Sequence, residues 1–400
     1  MGDPLLADED ASSADTYELS IVIPCLNEAR SLGRCLDEAH AMLRRFDLDG
    51  EVVVADNGST DGSAAIAQEH GARVVHVPVR GYGSALRGGA EGALGTYVVF
   101  ADADGQHDFD DIPRILDKLR EGFDLVVGNR FAGGIQRGSM SFSHRYIGNP
   151  MISGLLRLLF HPKIHDAQCG MRGFSRAAFS DMDTRTTGFE FSPEMVVKAV
   201  RHHLKMTEVP ITVKPDDRDR PPHLRTIPDG WRHLTFLLMC SPTWLFIIPG
   251  VMLLGIGIAA VTWIATGEQH VGRIILDTRD ELFGILLASI GFDIASIGFF
   301  ARIFSYDEPL RGSGPVAERV LRKVTLEQGL LAAGTLIVVG AVGGGFEFAR
   351  WAAQGFHQFP NDRLGIFWST WIILGVQLGF SSFFLSMLGI SRKMWIGNER

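Results

Sequence analysis

The chain has 400 residues, room for two domains, and its 46% hydrophobic content and mean hydropathy of +0.13 are high for a chain soluble throughout. The formal net charge of −8 misleads: residues 1–18 carry Asp3, Asp8, Glu9, Asp10, Asp15 and Glu18 and no Lys or Arg, and the other 40 acidic residues nearly balance 38 basic ones. No basic tract points to nucleic acid as a partner.

Residues 1–18 lack the charged and apolar regions of a secretory signal and read as a disordered acidic tail. Cys25, Cys35, Cys169 and Cys240 form no metal-ligand spacing and read as reduced structural residues. Residues 18–24 (ELSIVIP) predict a buried strand. Residues 31–46 predict a helix, with Leu32, Cys35, Leu36, Ala39, Leu43 and Phe46 at helical spacing and Ser31 as N-cap. Further strands are predicted at 51–55, 73–77, 96–101 and 124–128, with helices at 61–71, 82–94 and 109–120. Repeated strand–helix–strand units predict a Rossmann-like, mostly parallel sheet with helices on both faces. Such sheets bind ligands at the carboxyl ends of their strands. That rule gathers PCLNE (24–28), DNGSTDGS (56–63), DADGQ (102–106) and Asn129-Arg130 along one crevice. The chain has neither a GxGxxG after its first strand nor a GxxxxGK[ST], so it is not read as a dinucleotide-binding or P-loop protein.

Asp102, Asp104 and Gln106 offer hard oxygens at alternate positions. Carboxylates so close repel unless a cation sits among them, and Mg2+ or Mn2+ suits hard oxygens shared with substrate phosphates. Arg130 could hold those phosphates bidentately or form an ion pair. Asp56, Ser59 and Asp61 could bind a base or ribose, or serve as a turn and helix cap.

Together IVIPCLNE, VVADNGSTDGS, ADADGQHD and VVGNR resemble the family 2 glycosyltransferases. More narrowly they resemble the dolichol-phosphate mannose synthases and bacterial polyprenyl-phosphate glycosyltransferases. The resemblance runs from Leu19 to Val213 and takes in DAQCGMRGFSR (166–176), GFEFSPEMVVKA (188–199) and EVPITV (208–213). It implies a GT-A catalytic domain and inverting transfer of one sugar from a UDP- or GDP-linked donor to a polyprenyl or dolichyl phosphate. The product would be a lipid-phosphate sugar donor for cell-envelope glycosylation. It implies nucleotide-sugar contacts by Pro24, Asn27, Glu28, Asp56, Asp102, Ala103, Asp104 and Arg130, with Asp104 and Arg130 catalytic. It implies Mg2+ or Mn2+ at Asp102, Asp104 and Gln106, and it matches Arg145 and Arg172 to the acceptor phosphate. Leu26 stands where the family usually has Tyr, which removes an aromatic stacking partner. His107 and His144 read as structural. A lipid phosphate is mostly dianionic at neutral pH, its second pKa being about 6, so it is already a nucleophile and needs no general base.

Beyond about Arg232, uncharged runs take over. They predict four transmembrane helices at about 244–266, 282–304, 327–348 and 364–390. Domain boundaries follow: a GT-A domain at 19–213, a juxtamembrane linker and interfacial helix at 214–240, and a membrane domain at 241–400. In the linker, Arg225, Arg232 and His233 beside Trp231 and Phe236 suit the headgroup level, and Arg225 could present the acceptor phosphate. Arg302, Arg311, Arg319, Arg322 and Lys323 lie between the second and third spans, and Arg392, Lys393 and Arg400 follow the fourth. Opposite loops hold only Arg273, Arg279, Arg350 and Arg363, which places the catalytic domain and both termini in the cytoplasm. Gly284, Ala288, Gly291, Ala295 and Gly298 form a small-residue packing stripe. Asp293, in mid-span, must face a partner or water. The chain is compatible with a homo-oligomer. Two alternatives compete: a processive polysaccharide synthase, against which stands the missing QxxRW motif, and a lipid-linked sugar flippase or transport scaffold, which Asp293 keeps open.

Overall fold

A computed structural model of the chain describes residues 17–215, 226–304, 325–357 and 362–396. The acidic head to residue 16, Arg225 and the basic loop with Arg311, Arg319, Arg322 and Lys323 lie outside the described residues, as does Arg400. The chain divides into two compact units, Met1–Leu237 and Leu238–Arg400.

The first unit alternates strand and helix as the apolar runs predict. It opens with β1 (Tyr17–Cys25), α1 (Ala29–Arg45), β2 (Gly50–Asp56), α2 (Ser63–Glu69), β3 (Arg73–His76), α3 (Tyr82–Glu91) and β4 (Gly95–Phe100). There follow α4 (Ile112–Arg120), β5 (Leu125–Asn129), the single turn α5 (Arg130–Gly133), β6 (Gly134–Ile135), α6 (Asn149–Phe160), β7 (Arg172–Ser175), α7 (Arg176–Met182), α8 (Phe191–Arg201), β8 (Met206–Val213) and α9 (Thr226–Met239). Eight strands form one sheet in the order β3-β2-β1-β4-β7-β5-β8-β6. β7 runs antiparallel between β4 and β5, and the other pairings are parallel.

Central β1 is flanked by β2 and β4 and buries Leu19, Ile21, Val22 and Ile23 completely. This is why its sequence is a continuous apolar run rather than an alternating one. α1 buries Leu32, Cys35, Leu36, Ala39 and Leu43, the predicted stripe, and adds Met42. Phe46 departs from it: the helix ends at Arg45, so Phe46 is the C-cap and is exposed. β7 has no periodic signal of its own, being only four residues long. Its Phe174 packs edge-on against Phe100 at 4.8 Å, an arrangement that contributes about 0.5–1.5 kcal/mol beyond area burial.

α9 buries Asp229, His233 and Leu237, one residue per turn along one face. Trp231 on another face is 68% exposed. The helix is therefore amphipathic, as the linker sequence predicts, and its inward face includes two polar side chains.

The second unit holds α10 (Ile248–Ala265), preceded by a wider helical turn at Thr243–Ile247, a hairpin of β9 (Gln269–Val271) and β10 (Ile274–Leu276), α11 (Thr278–Phe304), α12 (Leu326–Ala353) and α13 (Asp362–Ile396). Among the described residues, four stretches are long and apolar enough to cross a membrane: Thr243–Ala265, Thr278–Arg302, Leu326–Ala353 and Asp362–Met387. They coincide with the four predicted spans. The small-residue stripe on α11 meets glycines of α10: a Cβ on Gly257 would lie 2.6 Å from the Gly284 carbonyl, and one on Gly291 would lie 2.7 Å from the Gly250 carbonyl. Without side chains between them the two backbones approach closely, which is how helices gain dispersion contacts in lipid. Asp293 finds its partner in Gln377 of α13, whose Nε2 donates to Asp293 Oδ1 at 3.1 Å and to Ser289 Oγ at 2.8 Å.

Candidate active site

The loops leaving β1, β2, β4 and β5 open on one crevice of about 760 Å³. The first two are stitched together. Ser59 Oγ accepts from the Asn27 N–H at 3.0 Å, Ser63 Oγ from Glu28 at 3.0 Å, and Asp61 Oδ2 from Ala29 at 3.0 Å. In return Asn27 Oδ1 accepts from the Thr60 N–H at 2.8 Å. Donors at the start of α1, which a helix leaves unsatisfied, are thus met by side chains of the next loop. The N-cap Glu28 makes no capping bond itself and faces the crevice. For Ser59 and Asp61 the turn-and-cap alternative is the observed one.

Asp56 is buried, accepting from the Ser59 N–H at 3.0 Å and lying 3.3 Å from His76 Nδ1. Burial pushes its carboxyl pKa up, but the Ser59 and His76 contacts more than offset this and hold it below the usual value. Asn57, unassigned from sequence, ties in a third loop. It donates to the carbonyls of Val77 and Val79 at 3.1 and 2.7 Å and accepts from the Gly81 N–H at 2.7 Å.

After β4 the chain turns through Asp102, Ala103, Asp104 and Gln106, all on the crevice wall. Tyr82, at the start of α3, donates its hydroxyl to Asp102 Oδ1 at 2.9 Å and stacks on Phe189 at 4.9 Å. Burial, and then the Asp102 charge, raise the Tyr82 pKa well above its ordinary value, so the phenol stays a donor. His107 Nδ1 accepts from the Asp102 N–H at 3.1 Å, a bracing role consistent with a structural histidine. Gly170 leaves room for this loop, because a Cβ there would collide with Asp102 Oδ2. Asp104 is 8% exposed, and its Oδ1 accepts from the Gln106 N–H at 3.0 Å. Gln106 donates Nε2 to the Ser139 carbonyl at 3.0 Å, which leaves Oε1 as the atom able to serve a cation.

Among the described residues no group of three or more His, Cys, Asp or Glu could hold a metal unaided. Mg2+ commonly takes one or two carboxylates and completes its shell with substrate phosphate and water. Asp102, Asp104 and Gln106 are suitable donors for such a shared ion.

Arg130 lines the crevice but does not present its whole fork to it. Nε and Nη2 donate to the two oxygens of buried Asp166, at 2.7 Å each, and its backbone N–H adds a third bond at 3.1 Å. Asp166 is itself held: Glu208 Oε1 accepts from the N–H groups of His165 and Asp166 at 2.6 and 2.8 Å, while Oε2 accepts from Asn129 Nδ2 at 3.0 Å. The ion-pair alternative for Arg130 is therefore real, but buried and oriented rather than a loose surface contact. Nη1 is the part of the guanidinium that Asp166 does not engage. His144 lines the same wall, and burial, then the Arg130 charge, lower its pKa.

Pro24, Glu28, Asp102, Ala103, Asp104, Gln106 and Arg130 thus converge on the crevice. Asn27 and Asp56 do not line the crevice and instead bond its loops together. Arg172 corrects the sequence expectation. At 1% exposure it donates to the carbonyls of Cys169, Ser192 and Ala167, so β7 carries its guanidinium into the core, away from any acceptor phosphate. Arg145 lies over the Tyr146 ring at 5.4 Å, next to His144. Arg225 lies outside the described residues.

The sequence pattern of glycosyl transferase family 2 matches residues 20–183, and that of the glycosyltransferase family 2 C-terminal transmembrane region matches residues 299–389. The low-salt glycan biosynthesis hexosyltransferase of Haloferax volcanii is 36% identical over 390 residues, covering 97% of this chain and 92% of its own. The dolichyl-phosphate hexose transferase of the same organism is 31% identical over 195 residues, 48% of this chain and 82% of its own. Among solved structures, glucosyl-3-phosphoglycerate synthase of Mycobacterium tuberculosis with Mn2+, uridine diphosphate and glucosyl-3-phosphoglycerate covers 57% of this chain and 80% of its own, at 22% identity and a TM-score of 0.45. With a near full-length relative at this identity and both halves matched, the chain belongs to glycosyltransferase family 2, as a GT-A glycosyltransferase with a C-terminal membrane region.

Proposed function

We propose that the enzyme transfers one hexose, with inversion, from a UDP- or GDP-linked donor to a polyprenyl phosphate at the cytoplasmic face of the membrane, for later use in cell-envelope glycosylation. The observation that carries the acceptor is the two-sided segment beside the crevice. His144, Asn149 and Ile152 line the crevice, whereas Phe142 (73% exposed), Tyr146, Ile147, Met151 and Leu158 are exposed. An apolar outer face beside a polar inner one suits a substrate with a lipid tail and a charged head. The names of the two Haloferax relatives support the hexose and the dolichyl phosphate.

In this reading the stitched loops after β1 and β2 hold the nucleoside, with Glu28 toward the ribose. Arg130, fixed by Asp166, holds a phosphate through its remaining donors. Arg145 and Arg225 attract the acceptor phosphate. A divalent cation at Asp102, Asp104 and Gln106 would neutralise charge developing on the departing nucleoside diphosphate. The acceptor oxygen is already anionic, so the chain's task is alignment and exclusion of water rather than proton abstraction. The Lys and Arg distribution supports cytoplasmic termini. The pairing of Asp293 with Gln377 supports a packing role for that residue in place of transport.

The test is Phe142→Ser combined with Ile147→Ser in the full-length enzyme. KM for a long polyprenyl phosphate should rise at least tenfold, with a short soluble prenyl phosphate unaffected. Unchanged KM for both acceptors would contradict the lipid reading.

A further inference from the structure

α9 supplies Asp229 and His233 to the crevice wall. The sequence places both in the juxtamembrane linker and interfacial helix, with His233 at the headgroup level and Asp229 unassigned. Asp229 is 7% and His233 5% exposed, so both are more than nine-tenths buried. His233 Nε2 is buried with no hydrogen-bond partner among the described residues. Burial lowers the His233 pKa and so favours the uncharged ring, which has one nitrogen as donor and the other as acceptor. Gln168 lines the same crevice with its Nε2, a donor, also unmatched. Native structures rarely leave buried polar atoms unmatched, so these point to a ligand that both donates and accepts hydrogen bonds.

Charge narrows the ligand. Asp229 Oδ1 lies 3.8 Å from Nη1 of the exposed Arg232, but a carboxylate beside an imidazole still suits hydroxyls, from which both groups accept, better than a phosphate. A sugar offers several hydroxyls whose directions differ between epimers. We propose that Asp229 and His233 read hydroxyls of the transferred sugar and set which epimer the enzyme accepts. This rests on the reading of the crevice as a sugar-transfer site. The physical basis is general: a site built to hydrogen-bond a hydroxyl discriminates strongly against a ligand that leaves the site's groups unpaired.

The test needs no lipid acceptor, so it is independent of the acceptor assignment. Full-length wild type, His233→Gln and Asp229→Asn are titrated by calorimetry with UDP-glucose, UDP-galactose, GDP-glucose, GDP-mannose, UDP and GDP. Wild type should bind one hexose at least tenfold more tightly than its epimer. Each variant should reduce that ratio to within about twofold of unity while its Kd for the bare nucleoside diphosphate stays within twofold of wild type. An undiminished epimer ratio in both variants would overturn the proposal, as would a wild type indifferent to the epimer. Equal losses for the bare diphosphate and the nucleotide-sugars would also overturn it, marking the pair as scaffolding. Should Asp229→Asn unfold, His233→Gln alone decides by the same criteria. If the sugar preference behaves as expected but no lipid product forms, the acceptor assignment fails and this inference stands.

Discussion

Asp166 grips Arg130 with both carboxylate oxygens, at 2.7 Å each, from a position with no exposure to solvent. Removing one partner of such a pair strands the other, which costs about 3–5 kcal/mol, whereas removing both is much milder. Arg130→Met should therefore destabilise the protein strongly. Adding Asp166→Asn should recover at least half of that loss, and neither variant should transfer sugar. Unfolding in detergent, run beside a transfer assay, separates the stability role from the chemical one.

Gly170 lets Asp102 stand where it does. Gly170→Ala puts a methyl group against Asp102 Oδ2 and within 3.3 Å of His107 Cε1. Overpacking of this kind costs about 1–3 kcal/mol. Because Asp102 must move, transfer should fall at least tenfold and the concentration of Mg2+ or Mn2+ giving half-maximal rate should rise. Metal dependence identical to wild type would show that Asp102 has not been disturbed.

Asp56 gives a pH signature. Its folded pKa lies below that of the unfolded chain. The linked stability is therefore present above the unfolded value and is lost as pH falls through the folded one. Asp56→Asn should be less stable than wild type at pH 7, with the gap closing toward pH 3. Denaturant unfolding across that range measures it.

Much of this fold could be read in advance because its strands are buried on both faces and so appear as unbroken β-branched runs. The carboxyl-end rule then located the crevice from the polar stretches that follow four of those strands, PCLNE, DNGSTDGS, DADGQ and Asn129-Arg130. What escaped are residues whose partners are remote in sequence. Tyr82 meets Asp102, Asp166 meets Arg130, and Glu208 meets Asn129, pairings that only the assembled sheet creates. Arg172 misled because a motif gives a residue's position but not the face of the strand on which it lies. The helix carrying Asp229 and His233 was legible as an amphipathic segment, but its composition assigned His233 to the headgroup level and did not reveal that Asp229 and His233 face inward.

In the membrane unit, Asp293→Asn keeps an acceptor for Gln377 and should leave transfer within twofold of wild type. Asp293→Leu should lower stability by roughly 0.6 kcal/mol, the average for such interhelical bonds. Denaturation in mixed micelles compares the two, and loss of transfer in the Asn variant with stability intact would give Asp293 a functional role.

The proposed reaction moves a hexose from a nucleotide-sugar to a polyprenyl phosphate at the Asp102–Asp104 site. The direct measurement incubates purified full-length enzyme with polyprenyl phosphate, Mg2+ or Mn2+ and isotope-labelled UDP- and GDP-hexoses in turn, and identifies the lipid fraction by mass spectrometry. The expected product is one polyprenyl-phosphate hexose of inverted anomeric configuration, absent with excess chelator and absent in a folded Asp104→Asn variant. Full product formation by Asp104→Asn, or no lipid-linked hexose from any donor by a wild type that binds the nucleotide, would contradict it.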